Sequence, residues 1–219
     1  MRYYRYSMNM KKLNIICSLL FVPLFIIIYI MNIFSYINLT FFVLYFLWMF
    51  LHEFVHGLGF SLSKGIKHKN IVYGACLEKG IFYCMCKERI SKSGIIVSLL
   101  LPFFLIGIVT FFLGLHFNNN TLILLSLFNI VGCVGDLAMF FSFLKLPDFS
   151  YVDLDDCTGF VLISDNDLSK YKLFGVDLVE VGNYTNLGVA NEYKKFTISK
   201  LSFVIFVLLI LFLILDLVV

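Results

Sequence analysis

Five long apolar runs leave this chain few folds to choose from. They fall near 13–31, 39–63, 94–115, 121–144 and 198–218. Each is roughly 19 to 25 residues long, the length an α-helix needs to cross a bilayer's hydrocarbon core. Only 14% of the residues are charged, against about 25% in an ordinary water-soluble domain. In hydrocarbon a lone segment must satisfy its own backbone polar groups, so each run is expected to be a helix. The fold class this predicts is an all-α membrane protein with about five transmembrane helices, read as a single integral membrane domain over 1–219.

Charge along the connections predicts a topology. The N-terminal tail and the 64–93 segment hold Arg2, Arg5, Lys11, Lys12, Lys64, Lys67, Lys69, Lys79, Lys87, Arg89 and Lys92, whereas the 32–38 and 116–120 connections contain no Lys or Arg. The positive-inside rule then places the N-terminus, 64–93 and 145–197 in the cytoplasm and the C-terminus outside. The first run resembles a signal peptide, but it lacks a small-residue cleavage site and reads as a retained helix. Residues 71–86 form two strand-like runs around Glu78-Lys79-Gly80, a short cytoplasmic β-hairpin. The 147–196 stretch carries valine-rich and aromatic runs such as Gly159-Phe-Val-Leu-Ile, expected as a small strand-containing segment between spans four and five. Six cysteines are scattered at 17, 76, 84, 86, 133 and 157. Four fall in loops on the reducing side, so no disulfide framework is expected.

Inside the second run stands His52-Glu53-Phe54-Val55-His56. Two histidines four apart lie one above the other on a helix face, where their nitrogens can hold one metal ion. The glutamate between them is placed to take a proton from water at that ion. Ionisable groups in hydrocarbon cost roughly 2.5 to 3.5 kcal/mol each on insertion scales, which argues for a function. The bland reading is a polar pair that hydrogen-bonds between helices.

A catalytic zinc site takes three protein ligands. Apart from Glu53, the acidic residue well inside an apolar run is Asp136, on the fourth; Asp216 lies near the outer end of the fifth. His52 and His56 fall some 7 to 11 residues before the cytoplasmic end of span two, roughly 10 to 16 Å, and Asp136 about 8 residues before that of span four, about 12 Å. The three polar groups therefore meet at one level. Asn129 lies two helical turns before Asp136, on about the same stripe, and is a candidate for positioning substrate or for an inter-helix hydrogen bond. Gly132 and Gly135 are expected to let another backbone approach span four. His68 and His116 lie in loops, Cys84-Met85-Cys86 lacks a four-ligand frame, and Asp153-Leu154-Asp155-Asp156 reads as a solvated turn. An aspartyl intramembrane protease needs two facing aspartates at depth, and the runs supply one.

An HExxH on one span with Asn and Asp on a later one resembles the site-2 protease class of intramembrane zinc metalloproteases. That class shows Asn-x-x-Pro before Asp-Gly, whereas here no proline intervenes and Leu137 follows Asp136. A closer resemblance is to the zincin peptidases called domain of unknown function 3267. It runs from His52-Glu53-x-x-His56 through Cys84-x-Cys86-Lys87-Glu88 and a third span with Pro102. It continues to Asn129, Gly135-Asp136 and Leu146-Pro147, and closes on Asp156-x-x-Gly159-Phe160. The resemblance implies His52, His56 and Asp136 as metal ligands, Glu53 as general base and Zn(2+) as cofactor.

The expected function is a membrane-embedded zinc metallopeptidase acting on a membrane-protein or peptide substrate, with the lipid bilayer as its surroundings and no nucleic-acid partner. The alternative is a non-catalytic metal-binding membrane partner, or an immunity-type protein, that retains the fold.

Overall fold

The computed structural model describes residues 1–76, 81–153, 159–173 and 176–181. The fifth expected span (198–218), the Glu78-Lys79-Gly80 turn, and Asp155 and Asp156 lie outside them. The described chain is mostly helical. Helix α1 spans Met10–Ile30 and α2 Leu39–Ser61, joined by a short connection. The third run is one composite rod: α3 (Lys92–Pro102), a π-helical stretch (Phe103–Val109) and α4 (Thr110–His116). The fourth is broken into α5 (Asn120–Gly132) and α6 (Val134–Lys145), bent by 43°. Side chains of Asn9, Asn38, Ser91 and Asn119 cap α1, α2, α3 and α5 by accepting from backbone amides.

Among the described residues α1, α2 and the α3–α4 rod are each long and apolar enough to cross a membrane, and the bent α5–α6 pair makes a fourth if counted as one span. Such helices are consistent with a membrane protein. Two departures from the expected helices have local causes. The third run was expected to be regular over 94–115, but Pro102 cannot donate a backbone bond and the pairing slips to π geometry beyond it. The fourth was expected to be continuous over 121–144, but it bends beside Gly132, a weak helix former.

The strands are more extensive than expected. The N-terminal tail is strand β1 (Arg2–Met8), which pairs antiparallel with β6 (Gly159–Ser164) on one side and β7 (Val176–Val181) on the other. With β4 (Ile90–Ser91) and β5 (Ser150–Asp153) they form a five-stranded sheet ordered β4-β5-β6-β1-β7. Residues Arg2-Tyr-Tyr-Arg-Tyr-Ser alternate in period two, so Tyr4 and Tyr6 point inward and are fully buried while Arg5 points out. Tyr6 stacks on Phe160 at 4.4 Å and meets Phe143 of α6 at 5.5 Å. This core, with Ile95 and Leu99 of α3 and Phe60 of α2, seats the sheet against one end of the helices.

A second sheet is the hairpin of β2 (Ile71–Cys76) and β3 (Ile81–Cys86), paired from Ile71↔Cys86 to Cys76↔Ile81. It folds back along α2 instead of extending from its end. Phe82 packs against Phe46 at 5.6 Å and Phe50 at 4.4 Å, roughly 16 to 22 Å up the helix from Ser61.

Candidate metal centre

The break in the fourth run positions Asp136. It makes Asp136 a first-turn residue of α6, where the positive end of the helix favours a carboxylate. On α2, His52 and His56 share a face, and the rings lie 4.8 Å apart. The Nε2 atoms of the two histidines are 3.1 Å apart. Asp136 completes the triangle, with Oδ2 at 3.2 Å from His52 Nε2 and Oδ1 at 3.4 Å from His56 Nε2. Among the described residues this is the one group of three potential ligands, its atoms all within 4.8 Å of one another.

The far side of each ring shows that Nδ1 carries a proton. His56 Nδ1 lies 2.9 Å from the carbonyl oxygen of Ser98. A carbonyl only accepts, so Nδ1–H is the donor. Ser98 answers with a second bond, its hydroxyl donating to the His56 carbonyl at 2.8 Å. His52 Nδ1 lies 3.0 Å from Asn129 Oδ1. The amide orientation of Asn129 follows from its other end, where Nδ2 donates to the Pro102 carbonyl at 3.3 Å. His52 Nδ1 is therefore a donor too.

With both Nδ1–H groups bonded outward, each ring turns its Nε2 toward the other ring and toward a carboxylate. In the neutral form of both rings, three electron-rich groups this close would repel without a cation between them. Two imidazole nitrogens and one carboxylate are a donor set that suits zinc. Separations of 3.1 to 3.4 Å fit the edges of a tetrahedron whose corners stand about 2.0 Å from its centre. The outer bonds from Nδ1 are those that hold metal-binding imidazoles in place.

Beside the triangle lies a cavity of about 230 Å³ lined by His52, Glu53 and Asn129 together with Tyr45, Trp48, Met49, Phe82 and Gly132. This is room for several waters or an extended peptide segment. Glu53 faces it, and its carboxylate is hydrogen-bonded by the backbone of Cys84 on β3. The hairpin thus reaches both the wall of the cavity, through Phe82, and the glutamate between the histidines.

Asn129 and Asp136 meet the same centre from opposite sides of the α5–α6 break, and Asn129 bonds to a histidine while also lining the cavity. Among the described residues, no other backbone comes close to Gly132 or Gly135. Within that part of the chain, a Cβ at Gly132 would meet nothing within 4 Å, and one at Gly135 a Leu13 side chain at 3.9 Å. The close approach occurs at Gly59, where a Cβ would stand 2.4 Å from Ser98 Cα. Ser98 and Phe82 were not picked out by spacing. A serine in an apolar run and a phenylalanine among 26 carry no signal until their neighbours are known. His68 precedes β2 and His116 ends α4, and neither joins the centre.

Residues 45–151 match the family model of domain of unknown function 3267, described as "Putative zincin peptidase". The matched stretch is just under half of the chain and contains His52, Glu53, His56, Asn129 and Asp136. No curated protein and no solved structure matches the chain.

Proposed function

We propose that this chain is a membrane-embedded zinc metallopeptidase, distantly similar to site-2 proteases, that hydrolyses a peptide bond in or near the bilayer. The observation that carries the reading is the meeting of two imidazole Nε2 atoms and a carboxylate beside a cavity that Glu53 also faces. His52, His56 and Asp136 would hold the ion. Zinc, when bound, supplies Lewis acidity that polarises a carbonyl and makes water acidic near neutral pH. Glu53 acts as the general base, receiving the proton of the attacking water and passing it to the leaving amine. The Cys84 backbone holds the Glu53 carboxylate for that exchange. Asn129 holds His52 in its metal-binding orientation.

The five-stranded sheet supports the proposed topology. It joins β1, β4 and β5 to β7, so these segments share one side of the membrane. The chain must then cross an even number of times between Met8 and Ile90, and again between Ser91 and Ser150. Two spans in each interval meet this condition, with α5 and α6 acting as one bent span. The basic residues around the sheet favour the cytoplasmic side. The hairpin then dips beside α2 toward the cavity, where strand addition would hold a substrate segment extended.

Metal analysis and peptide profiling test the proposal together. Purified wild type and Glu53→Gln should carry stoichiometric zinc, and His56→Ala and Asp136→Ala should not. New peptide termini in membranes of cells expressing wild type should vanish with Glu53→Gln, a loss of about 10²- to 10⁴-fold in rate. Full zinc affinity in Asp136→Ala would remove the third ligand. Identical termini with Glu53→Gln would favour a non-catalytic binding protein.

A further inference from the structure

We infer that Pro102 is a positioning residue for the metal centre, acting by withholding a backbone amide from α3 so that the Ser98 carbonyl is left for His56. The inference rests on the metal-binding reading above. In an α-helix the carbonyl of residue i accepts from the amide of residue i+4. For Ser98 that residue is Pro102, which has no N–H. The next amide, Phe103 N–H, is bonded to Leu100 O. Ser98 is fully buried, and a carbonyl left without a donor in such a place is costly. His56 Nδ1–H fills the vacancy at 2.9 Å. The ring is thereby oriented with Nε2 toward His52 and Asp136.

The same proline serves the other histidine. Its own carbonyl stands at the start of the π-helical stretch, where pairing departs from the α pattern, and accepts from Asn129 Nδ2 at 3.3 Å. That bond turns Asn129 Oδ1 to His52 Nδ1 at 3.0 Å. Two carbonyls one helical turn apart, at 98 and 102, thus orient both rings, one directly and one through Asn129. A proline that served only to bend the helix would have no reason to leave a histidine as the donor at its freed carbonyl.

The missing amide and the proline ring can be separated experimentally. Pro102→Leu restores an N–H that competes for the Ser98 carbonyl. Incorporating the α-hydroxy-acid analogue of leucine at position 102 gives the same side chain with an ester and no N–H. Zinc affinity of the full chain in detergent is read by competition with a chromophoric chelator, and ligand geometry by cobalt(II) absorption. Pro102→Leu should bind zinc 10- to 100-fold more weakly, the range for loss of a hydrogen bond that orients a ligand, with an altered cobalt spectrum. The ester variant should return both to wild type. Wild-type affinity in Pro102→Leu would overturn the inference, and so would an ester variant as weak as Pro102→Leu, since the ring would then be responsible. A wild type that binds no zinc would overturn the metal reading itself.

Discussion

Substituting Gly59 tests whether helix packing and the metal centre are one structure. A Cβ at this position would stand 2.4 Å from Ser98 Cα, 3.0 Å from its Cβ and 3.1 Å from its amide nitrogen. Carbon atoms settle no closer than about 3.5 Å, so Ser98 must retreat by about 1 Å. The obstructing atoms are mainly backbone, so no rotamer change relieves the contact. Ser98 also holds His56, through its carbonyl at 2.9 Å and its hydroxyl at 2.8 Å. A retreat of that size along the same direction lengthens these bonds to about 4 Å, beyond hydrogen-bonding range. Overpacking costs about 1–3 kcal/mol, and leaving buried polar groups without partners costs about 1–3 kcal/mol more. Gly59→Ala should therefore lower thermal stability by about 2–6 kcal/mol in all and weaken zinc binding at least tenfold. The control is Val43→Ala, at an exposed position on the same helix, which should leave zinc affinity unchanged. Thermal melts of detergent-purified protein, with zinc and after chelation, read stability, and a chelator titration reads affinity. Wild-type zinc affinity in Gly59→Ala, or an equal loss in Val43→Ala, would refute the coupling.

Other outcomes follow from the hairpin and the sheet. Phe82→Ala removes two aromatic contacts with α2, worth roughly 1–3 kcal/mol together. It should slow cleavage while leaving zinc content unchanged, and a fall in zinc content would show that the hairpin supports the metal site. Burial in the sheet–helix core pushes the Tyr6 hydroxyl up to about 12. Its stabilising contribution is complete below the unfolded value near 10 and is lost as pH rises from about 10 to 12, at about 1.4 kcal/mol per unit. Tyr6→Phe should flatten that part of the alkaline stability curve, and unchanged steepness between pH 10 and 12 would argue against it.

Much of the helical framework was legible along the chain because lipid imposes simple demands. A span needs length and apolar side chains, and both are properties of a local window. His52 and His56 also share a face by local helix geometry. The depth at which Asp136 meets them followed from counting residues to the helix ends. Asp136 lies beside the two histidines, and the bend near Cys133 comes before it and leaves the α6 turns intact. The N-terminal strand was less apparent. Arg2 and Arg5 entered the reading as charges alone, while the inward alternation of Tyr4 and Tyr6 acquires meaning only with Phe160 and Phe143 beside it.

The chain's apolar runs and their internal histidines are local matters, decided by 1.5 Å of rise per residue and the cost of polarity in hydrocarbon. The ring orientations are not local. His56 is turned by the Ser98 carbonyl 42 positions away, and His52 by Asn129, 77 positions away. Those bonds exist because Gly59 lets α3 come close, Pro102 leaves Ser98 without its usual donor, and α5 presents Asn129 at the same depth. A hydrogen bond needs its partner within about 3 Å, and only folding brings residues so far apart in sequence to that distance.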